Sequence, residues 1–299
     1  MRKTKQIICL MLSQLTLAVC LFSCTLPRWA QQLTGRVLAA SSGRPVAFAT
    51  VGIKGKALGS TADESGHFAF AVPAALPSAD SVIISCIGFR ALRLTVGQLR
   101  TPEAVWRLQL QVQTLGEVHV RHARLKPAIL GRDAEGGLAA WSTNSRDTSV
   151  AVVSDERARE MVTVLPVRRN CYVDSFRVYI SHNDFKPIRF RFTLYSVVDG
   201  RPAQPLLTDD IQFILPSQRT GWIGLDLRPY SIELRRGQTI AAGFQWLAGE
   251  RLNPENGVLC GPGAFPSVGH HVLVRGKSEA AWRTFPMNVS MYLAVQEYK

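Results

Sequence analysis

The sequence predicts an all-β protein in which two β-sandwiches follow one another along the chain. The first observation is that apolar side chains recur with a period of two in many short runs, as in strands that bury at least one face. The second is that turns rich in Gly, Pro, Ser and Asp separate these runs, with no apolar periodicity of helix length between them. The third is the length of 299 residues, which is enough for two domains.

Four alternating runs define the first sandwich, and the third of them is apolar on both faces. These runs are Ala49–Ile53, Phe68–Val72, Val82–Cys86 and Leu92–Val96. The turn Asp63–Gly66 supplies a carboxylate that can accept backbone N–H groups and a glycine that tolerates positive φ. Ser41–Gly43 and Pro77–Asp80 are predicted to form similar turns. We therefore expect an antiparallel sandwich in this part of the chain.

Several motifs of this part occur in the order found in a known family. They are Gly35-x-Val37, Gly43-x-Pro45-Val46, Ala49-x-Val51-x-Ile53, Thr61-x-Asp63-x-x-Gly66-x-Phe68 and Ile87-Gly88-Phe89. With these motifs the chain resembles the carboxypeptidase-regulatory-like domain, a transthyretin-like β-sandwich common in envelope proteins of Bacteroidetes-type bacteria. The resemblance implies a folding and docking module that is not itself catalytic.

The resemblance extends to a later strand. Leu115–Val120 looks like the Leu-x-Glu-Val-x-Val strand that often follows this domain, including at the head of TonB-dependent outer-membrane transporters. Between the last motif, which ends at Phe89, and this later strand, Trp106, Leu108 and Leu110 alternate as in a closing strand. We therefore predict that the first sandwich spans residues 31–120.

Residues 1–30 have the features of a secretory signal peptide. Three basic residues among the first five positions precede an apolar run over residues 7–22, which is short of the about 20 residues that a spanning helix needs. The sequence allows two processing sites. Cleavage near Ala30 would release a soluble protein, whereas the residues before Cys24 loosely resemble a lipoprotein signal in which Cys24 is lipidated. No later run is as apolar, so we expect no transmembrane helix in the mature chain.

A linker is predicted over residues 121–149. Its first part is basic and contains Pro127, and its second part, residues 131–149, is rich in Gly, Ser and Thr. Strand-like alternation resumes only at Val150. The domain boundary is expected between Arg121 and Ile129.

Residues 150–299 are predicted to form the second sandwich. Its alternating runs are Tyr172–Ile180, Arg189–Tyr195, Trp222–Leu227, Thr239–Trp246 and Val289–Val295. The spacing indicates about seven to nine strands in a jelly-roll-like arrangement. The second run is predicted to bury its phenylalanines, with Arg189, Arg191 and Thr193 on the opposite face.

The composition argues against nucleic-acid binding. The formal net charge is +13, and residues 1–30 contain four basic and no acidic residues, which leaves 13 − 4 = +9 for the rest. These charges are scattered, without a Lys/Arg run or a basic stripe interleaved with aromatic residues. The charge is better explained by a basic surface that tolerates anionic envelope material.

The cysteines form no recognisable redox or zinc motif. Three of the six lie within residues 1–30, and Cys86, Cys171 and Cys260 remain at long, irregular spacings. We expect all three to stay single, with Cys86 acting as a small buried apolar residue. A disulfide between Cys171 and Cys260 is the alternative in an oxidising periplasm.

Zinc hydrolysis is not predicted. A metallocarboxypeptidase needs an open site with two histidines and a carboxylate. The histidines are His67, His119, His122, His182, His270 and His271. None has a glutamate three positions later, and none lies in a His-Glu-x-x-His motif. The side chains of the adjacent His270 and His271 would diverge on a strand.

Other chemistries also lack their motifs. The chain has no Gly-x-Ser-x-Gly for a serine hydrolase and no glycine-rich loop before a helix for a nucleotide. Asp63, Glu64 and Asp80 could suggest calcium, but a turn accounts for Asp63. Asp209 and Asp210 are assigned to a turn between strands. The sequence thus predicts no catalytic, cofactor-binding or metal-binding residue.

The aromatic residues of the second half allow a different class of function. Trp222, Trp246 and Trp282, with several tyrosines, could form a platform for sugars, although aromatic residues in strands usually belong to the core. An exposed row of aromatic rings beside a groove would favour glycan recognition. Full burial of Trp222 and Trp246 would count against it.

These observations lead to a prediction of function. We expect a non-enzymatic, secreted binding or accessory protein of the cell envelope, in the periplasm or associated with the outer membrane. Its partner would be an envelope protein or polysaccharide, with no cofactor and no nucleic acid. Two alternatives are glycan binding or processing by the second sandwich, and an accessory role in a TonB-dependent uptake system.

Overall fold

The protein consists of two units, each with its own core. The computed structural model describes residues 31–102, 104–111, 125–143, 156–254 and 256–298. Within these residues the chain is nearly all β, as predicted. One large apolar cluster is built from residues 33–108 and another from residues 161–295. We call the corresponding parts the N-terminal unit and the C-terminal unit.

The N-terminal unit contains seven strands and one short helix. They are β1 (Gln31–Ala39), β2 (Thr50–Ile53), β3 (Gly59–Thr61), β4 (His67–Val72), β5 (Ser81–Ser85), β6 (Leu92–Thr95), α1 (Val96–Leu99) and β7 (Val105–Leu108). One sheet has the order β4-β1-β7, in which β1 runs antiparallel to β4 and parallel to β7. The other is antiparallel with the order β3-β2-β5-β6. The predicted sandwich is therefore present.

The two sheets of the N-terminal unit share one apolar core. Val37 and Phe68 from the first sheet join Val51 and Ile84 from the second in the same buried cluster. The motif glycine Gly35 lies beside Phe68, and a Cβ at this position would be 2.7 Å from the phenyl ring. Glycine is therefore needed at this position because the ring occupies the space of a side chain.

The helix α1 was not predicted. The sequence analysis assigned Val96 to a strand, but β6 ends at Thr95 and the chain turns into α1. The Thr95 hydroxyl accepts a hydrogen bond from the backbone N–H of Gln98 (3.2 Å), and the Gln98 side chain accepts one from the backbone N–H of Thr95 (2.9 Å). This reciprocal capping box starts the helix and explains why the alternation stops.

The C-terminal unit contains sixteen described strands, more than the seven to nine predicted. They are β8 (Lys126–Gly131), β9 (Ala139–Ser142), β10 (Glu160–Pro166), β11 (Asn170–Ile180), β12 (His182–Asn183), β13 (Ile188–Val198), β14 (Arg201–Pro205), β15 (Gln212–Leu215), β16 (Gly221–Asp226), β17 (Glu233–Leu234), β18 (Thr239–Ala248), β19 (Leu259–Ala264), β20 (Val272–Arg275), β21 (Arg283–Phe285), β22 (Asn288–Val289) and β23 (Met291–Tyr298). The predicted number of strands was too low because several strands are only two to four residues long and show little alternation.

Two large sheets of the C-terminal unit form a sandwich. The seven-stranded sheet has the order β14-β13-β18-β10-β20-β21, with β15 paired to β13. The five-stranded sheet has the order β16-β11-β23-β8, with β17 paired to β11. Phe190 and Phe192 from the first sheet and Phe176 and Leu293 from the second lie in one buried cluster. A third, smaller sheet joins β12, β19, β22 and β9.

The segment predicted as a linker contributes two strands to the C-terminal unit. Residues 126–131 form β8, which pairs with β23 at the edge of the five-stranded sheet. Residues 139–142 form β9, which pairs with β19. Pro127 is compatible with β8 because an edge strand leaves one side without a ladder partner. The predicted strand over residues 115–120 and the leader, residues 1–30, lie outside the described residues.

Candidate ligand-binding cavity between the two units

The N-terminal unit packs against the seven-stranded sheet of the C-terminal unit, on the face that points away from the C-terminal core. The backbone N–H of Gly55 donates to the carbonyl of Glu279 (2.9 Å). The guanidinium of Arg189 lies 5.1 Å from the ring centroid of Phe48 and 3.3 Å from Oε1 of Glu64. We call this face of the seven-stranded sheet the covered face.

Arg191 of β13 is the most deeply buried cation at this contact, with only 3% of its side chain exposed. Its Nη2 donates to Oδ2 of Asp210 (2.9 Å) and to the backbone carbonyl of Phe48 (3.1 Å), and its Nε also contacts Asp210. Burial alone would lower the pKa of this guanidinium, but the Asp210 carboxylate outweighs burial and raises it. A charged, paired arginine thus links the two units.

Arg191 belongs to a row of polar side chains that crosses four strands of the covered face. Arg191 of β13 is opposite Gln245 of β18, Gln245 is opposite Glu160 of β10, and Glu160 is opposite Arg275 of β20. Nη1 of Arg191 donates to Oε1 of Gln245 (2.9 Å), and Nε2 of Gln245 donates to the hydroxyl of Ser278 (3.2 Å). These hydrogen bonds satisfy polar groups that would otherwise be buried at high cost.

Glu160 is the acidic centre of this row, and its side chain has no exposed surface. The hydroxyl of Tyr195 donates to one of its oxygens (2.7 Å), and Nε of Arg275 donates to the other (2.8 Å). Burial, followed by the nearby Glu160 charge, raises the pKa of Tyr195 well above its ordinary value. The guanidinium of Arg275 also lies 4.4 Å from the ring centroid of Trp282. Glu160 is therefore held by a phenol and a guanidinium together.

A cavity of about 750 Å³ lies between the covered face and the N-terminal unit. Thr193, Gln245 and Trp282 line it from the C-terminal unit, and Ser85 and Phe89 line it from the N-terminal unit. Its volume falls within the roughly 300–1,000 Å³ of ordinary small-molecule sites. Both units are therefore needed to form its walls.

The hydroxyl of Thr193 is an unusual group in this wall. Thr193 is 3% exposed, and its buried hydroxyl oxygen has no hydrogen-bond partner among the described residues. It lies opposite Gly243 on the neighbouring strand, so no side chain from that position faces it. An unpaired buried hydroxyl costs about 1–3 kcal/mol. This oxygen is itself buried, so it is enclosed within the wall and is not presented to the cavity.

Two ionisable groups in the wall are shifted towards their neutral forms. Burial raises the pKa of the Glu279 carboxyl, and the more distant charges of Arg275, Arg93 and Lys54 only partly oppose this effect. Burial also raises the pKa of the Cys86 thiol to about 11. The sequence analysis placed Cys86 inside a strand, but it follows β5 and is only partly buried at the cavity wall. The Cys86 thiol is therefore not a strong nucleophile near neutral pH.

The structure does not assemble the histidines into a metal site. His119 and His122 lie outside the described residues. His182 pairs with Asp184 at 2.8 Å, and His270 contacts the carbonyl of Val268. Within the described ranges, no three side chains of His, Cys, Asp or Glu come close enough together to hold a metal ion.

The acidic residues weighed for calcium have structural contacts. The Asp63 carboxylate accepts hydrogen bonds from the backbone N–H groups of Ser65 (2.8 Å) and His67 (2.9 Å), which confirms its predicted role in a turn. Asp80 pairs with Lys56 at 2.6 Å. These contacts account for the two aspartates without a metal.

The covered face was not predicted from the sequence. The alternation placed Arg191 and Thr193 on the face of β13 opposite the phenylalanines, and Asp210 was assigned to a turn that lacks a set of partner carboxylates. The alternation was right, but the N-terminal unit covers that side, so all three residues form part of a buried interface. The one available signal was an acidic residue, Glu160, at the head of the apolar run Met161–Leu165.

The tryptophans fall into three different environments. Trp246 is 2% exposed and packs within the sandwich core, which counts against a platform that includes it. Trp222 is partly buried on the outer face of the five-stranded sheet, with its ring 5.3 Å from that of Tyr179 and 5.0 Å from that of Tyr292. Trp282 lines the cavity and is partly exposed.

The three described cysteines are free thiols. Cys171 is buried on β11, and Cys260 is partly buried on β19. The alternative of a disulfide between them is therefore not realised in this structure. Burial raises the pKa of the Cys171 thiol to about 11. Its role is that of a small core residue.

No helix among the described residues combines the length and the apolarity needed to cross a membrane.

Comparison with known proteins identifies the first unit. Residues 33–120 match a family model described as a CarboxypepD_reg-like domain. No curated protein matches the chain. The match begins within β1, includes β2 to β7 of the N-terminal unit, and ends before β8 of the C-terminal unit. The N-terminal unit of this protein is therefore a CarboxypepD_reg-like β-sandwich domain.

Proposed function

We propose that this protein is an exported, non-enzymatic binding protein of the cell envelope, and that the cavity between its two units is the binding site. The observation that carries the proposal is the cavity of about 750 Å³, whose walls come from both units. Domain interfaces are common positions for ligand sites. The CarboxypepD_reg-like domain then serves as one wall of the site.

Export is supported by the leader. Its basic start and its apolar run are the signals that secretion machinery recognises. After removal of residues 1–30 the protein would act in the periplasm or at the outer membrane, either soluble or anchored through lipid on Cys24. Expression of the full chain with Cys24→Ser distinguishes these forms, because only a lipid-anchored protein would lose its membrane association.

The absence of catalysis is supported by the chemistry of the cavity wall. Glu160 and Arg275 are held together in a buried ion pair, and burial raises the pKa of the Cys86 thiol to about 11. Cys86 is a thiol rather than a thiolate at neutral pH. The thiol in this wall is therefore not prepared for nucleophilic attack, which supports a binding role.

The proposal is tested by capturing the tagged mature protein from cross-linked cell envelopes and identifying the proteins and polysaccharides that co-purify. Arg191→Met, which weakens the contact between the units, serves as the comparison variant. We expect specific enrichment with the wild-type protein and much less with the variant. Retention of the protein in the cytoplasm would contradict the proposal. So would a hydrolase activity that co-purifies with the intact protein and is lost with one point substitution.

A second candidate function is glycan recognition on the outer face of the five-stranded sheet. The observation that favours it is a cluster of three aromatic rings. The ring centroid of Trp222 lies 5.3 Å from that of Tyr179 and 5.0 Å from that of Tyr292. These rings meet nearly edge to face, and the Trp222 indole N–H donates to Glu135 (3.1 Å). Loss of polysaccharide binding in Trp222→Ala, with Arg191→Met unaffected, would support this candidate.

A further inference from the structure

We propose that a basic patch at one end of the C-terminal unit docks on the phosphate groups of an anionic membrane surface. The patch consists of five side chains, which are Lys126, Arg168, Arg169, Arg235 and Arg236. We call it the basic end. None of the five lines the cavity between the units, so the patch does not depend on the cavity. Only the choice of a membrane as the partner rests on the proposed export.

Two connections between the large sheets place the four arginines side by side. Residues 167–169 lead from β10 of the seven-stranded sheet to β11 of the five-stranded sheet, and residues 235–238 lead from β17 back to β18. The backbone N–H of Val167 donates to the carbonyl of Gln238, and the backbone N–H of Gly237 donates to the carbonyl of Val167, both at 2.9 Å. Each connection carries two successive arginines, so the fold gathers charges that are scattered in the sequence.

The position of Lys126 follows from strand pairing. Lys126 is the first residue of β8 and lies opposite Glu297 of β23, which in turn lies opposite Cys171 of β11. The residue before Cys171 is Asn170, whose side-chain oxygen accepts a hydrogen bond from the backbone N–H of Arg236 (2.9 Å). The lysine therefore lies at the same end of the sandwich as the two arginine pairs.

Most of these cations lack an acidic partner. All five side chains are exposed. Arg169 pairs with Glu297 at 3.4 Å, whereas the other four pair with no carboxylate among the described residues. The nearby Glu233 accepts a hydrogen bond from the hydroxyl of Tyr298. Five cations thus face two carboxylates, and the four unpaired cations are available to an external anion.

The chemistry of the basic end fits phosphate. The planar guanidinium of arginine binds phosphate oxygens through two parallel hydrogen bonds and stays charged throughout the physiological pH range. Exposed cations at the tip of a sandwich can approach a plane of headgroups together, and each basic side chain near an anionic membrane strengthens binding about fivefold. The net charge of +9 outside the leader adds long-range attraction to the same surface.

Both processing sites of the leader favour a membrane as the partner. Lipid on Cys24 would leave residues 25–30 as the spacer before β1, which is roughly 20 Å at full extension. Cleavage near Ala30 would remove the lipid and leave the basic end as the contact with the membrane. A soluble acidic polysaccharide offers carboxylates to the same cations, so it is the competing partner in the test.

Co-sedimentation of the intact mature protein with lipid vesicles tests this inference. The protein carries no lipid, so that only its surface contributes to binding. The vesicles contain either phosphatidylglycerol with phosphatidylethanolamine or phosphatidylcholine alone, and soluble polygalacturonate is the competing polymer. The test variant combines Arg168→Gln with Arg236→Gln, one substitution in each connection.

A matched double variant removes the same charge elsewhere. It combines Arg44→Gln with Arg219→Gln, and both arginines are exposed and pair with no carboxylate among the described residues. Arg219 precedes β16, whose first residue Gly221 lies opposite Ile180 at the far end of β11. All four substituted side chains are exposed, so both double variants should unfold at the wild-type temperature.

We expect binding to the anionic vesicles and none to phosphatidylcholine. The Arg168/Arg236 variant should bind about 25-fold more weakly, which is about fivefold for each charge lost. The Arg44/Arg219 control should stay within about twofold of the wild type at about 0.1 M salt, because the Debye length there is about 10 Å and distant charges are screened.

Three results would overturn the inference. They are equal binding to both kinds of vesicle, equal weakening in the two double variants, and tighter binding of polygalacturonate than of the anionic vesicles. The envelope capture tests the cavity separately through Arg191→Met. A protein that enriches a specific partner but ignores anionic vesicles keeps the proposed function and loses only the membrane contact.

Discussion

The C-terminal sandwich has two outer faces, and they differ in what lies over them. The covered face of the seven-stranded sheet carries Arg191, Glu160 and Gln245, all buried under the N-terminal unit and hydrogen-bonded to one another or to neighbours. The open face of the five-stranded sheet carries Trp222 and Tyr292, which are only partly buried and contact each other.

The difference shows what the docked domain contributes. On the open face, water can satisfy polar side chains, so ion pairs there add little to stability. On the covered face, each polar group needs a protein partner or a ligand, because burial removes water. The hydroxyl of Thr193 is the exception on the covered face, because it is buried and has no partner among the described residues.

The largest effect is expected for the buried cation. Arg191→Met removes the partner of Asp210, which is itself 23% exposed and keeps a hydrogen bond from Gln212 (2.7 Å). Breaking a buried pair in this way costs about 3 kcal/mol, the lower end of the usual range, because Asp210 retains some solvent. Urea denaturation of the variant and the wild type measures this loss.

Arg228→Met is the matched control on the open side of the molecule. Arg228 pairs with Asp226 at 2.8 Å, but 72% of the Arg228 side chain is exposed. We expect no measurable change in unfolding free energy. Equal stabilities for the Arg191 and Arg228 variants would contradict the account of the covered face.

A second comparison uses one glycine from each sheet. A Cβ at Gly243 of the seven-stranded sheet would lie 2.0 Å from the backbone oxygen of Met161, whereas a Cβ at Gly224 of the five-stranded sheet would lie 3.6 Å from the Arg177 guanidinium. Gly243→Ala should therefore cost about 2 kcal/mol through forced backbone movement, and Gly224→Ala should be tolerated. Thermal unfolding of both variants checks this, and tolerance of alanine at Gly243 would argue against close strand packing there.

A third comparison removes one tyrosine hydroxyl at a time. Tyr195 donates to the fully buried Glu160, so Tyr195→Phe should destabilise the protein by about 1–2 kcal/mol. Tyr298 donates to the exposed Glu233 on the other sheet, so Tyr298→Phe should have little effect. The difference in unfolding free energy between the two variants is the measurement. A larger loss for Tyr298→Phe would reverse the assignment of the buried network.

The smallest effect concerns pH. Burial raises the pKa of Glu279 in the folded protein, so the folded state binds this proton more tightly than the unfolded state does. The free energy of unfolding therefore falls as pH rises from the unfolded pKa of about 4.5 through the raised folded value. Glu279→Gln removes this loss, so its stability relative to the wild type should increase from about pH 4 to about pH 7.

Glu250→Gln is the control for the pH experiment. Lys186 lowers the pKa of Glu250, which is exposed, so its substitution cannot produce the same rise in relative stability. Urea denaturation of both variants across the pH range is the measurement. A relative stability of Glu279→Gln that is flat or falls with pH would mean that Glu279 is not buried as described.

The fold could be predicted from the sequence because alternation determines which side chains share a face. Phe190, Phe192 and Leu194 alternate along β13, and all three lie in the core. The motif glycines and the Asp63 turn also lie where the family pattern places them. These features depend on local chain geometry, which a single sequence contains.

The cavity could not be predicted because it depends on contacts between distant parts of the chain. Arg191 and the Phe48 carbonyl are separated by 143 positions, and the alternation around Arg191 is that of any solvent-facing strand. The strands β8 and β9 were missed for a similar reason. Their short sequences carry little alternation, and their pairing with β23 and β19 supplies most of their stabilising contacts.

The most direct test of the central claim is hydrogen–deuterium exchange of the intact mature protein, measured with and without the envelope component recovered by the capture experiment. The account predicts slower exchange at the cavity walls, in peptides covering residues 85–91 and residues 191–195, and no change on the open face at residues 221–226. Protection confined to residues 221–226 and 291–298 would place the ligand on the aromatic cluster. That result would contradict the claim that the cavity between the units is the binding site.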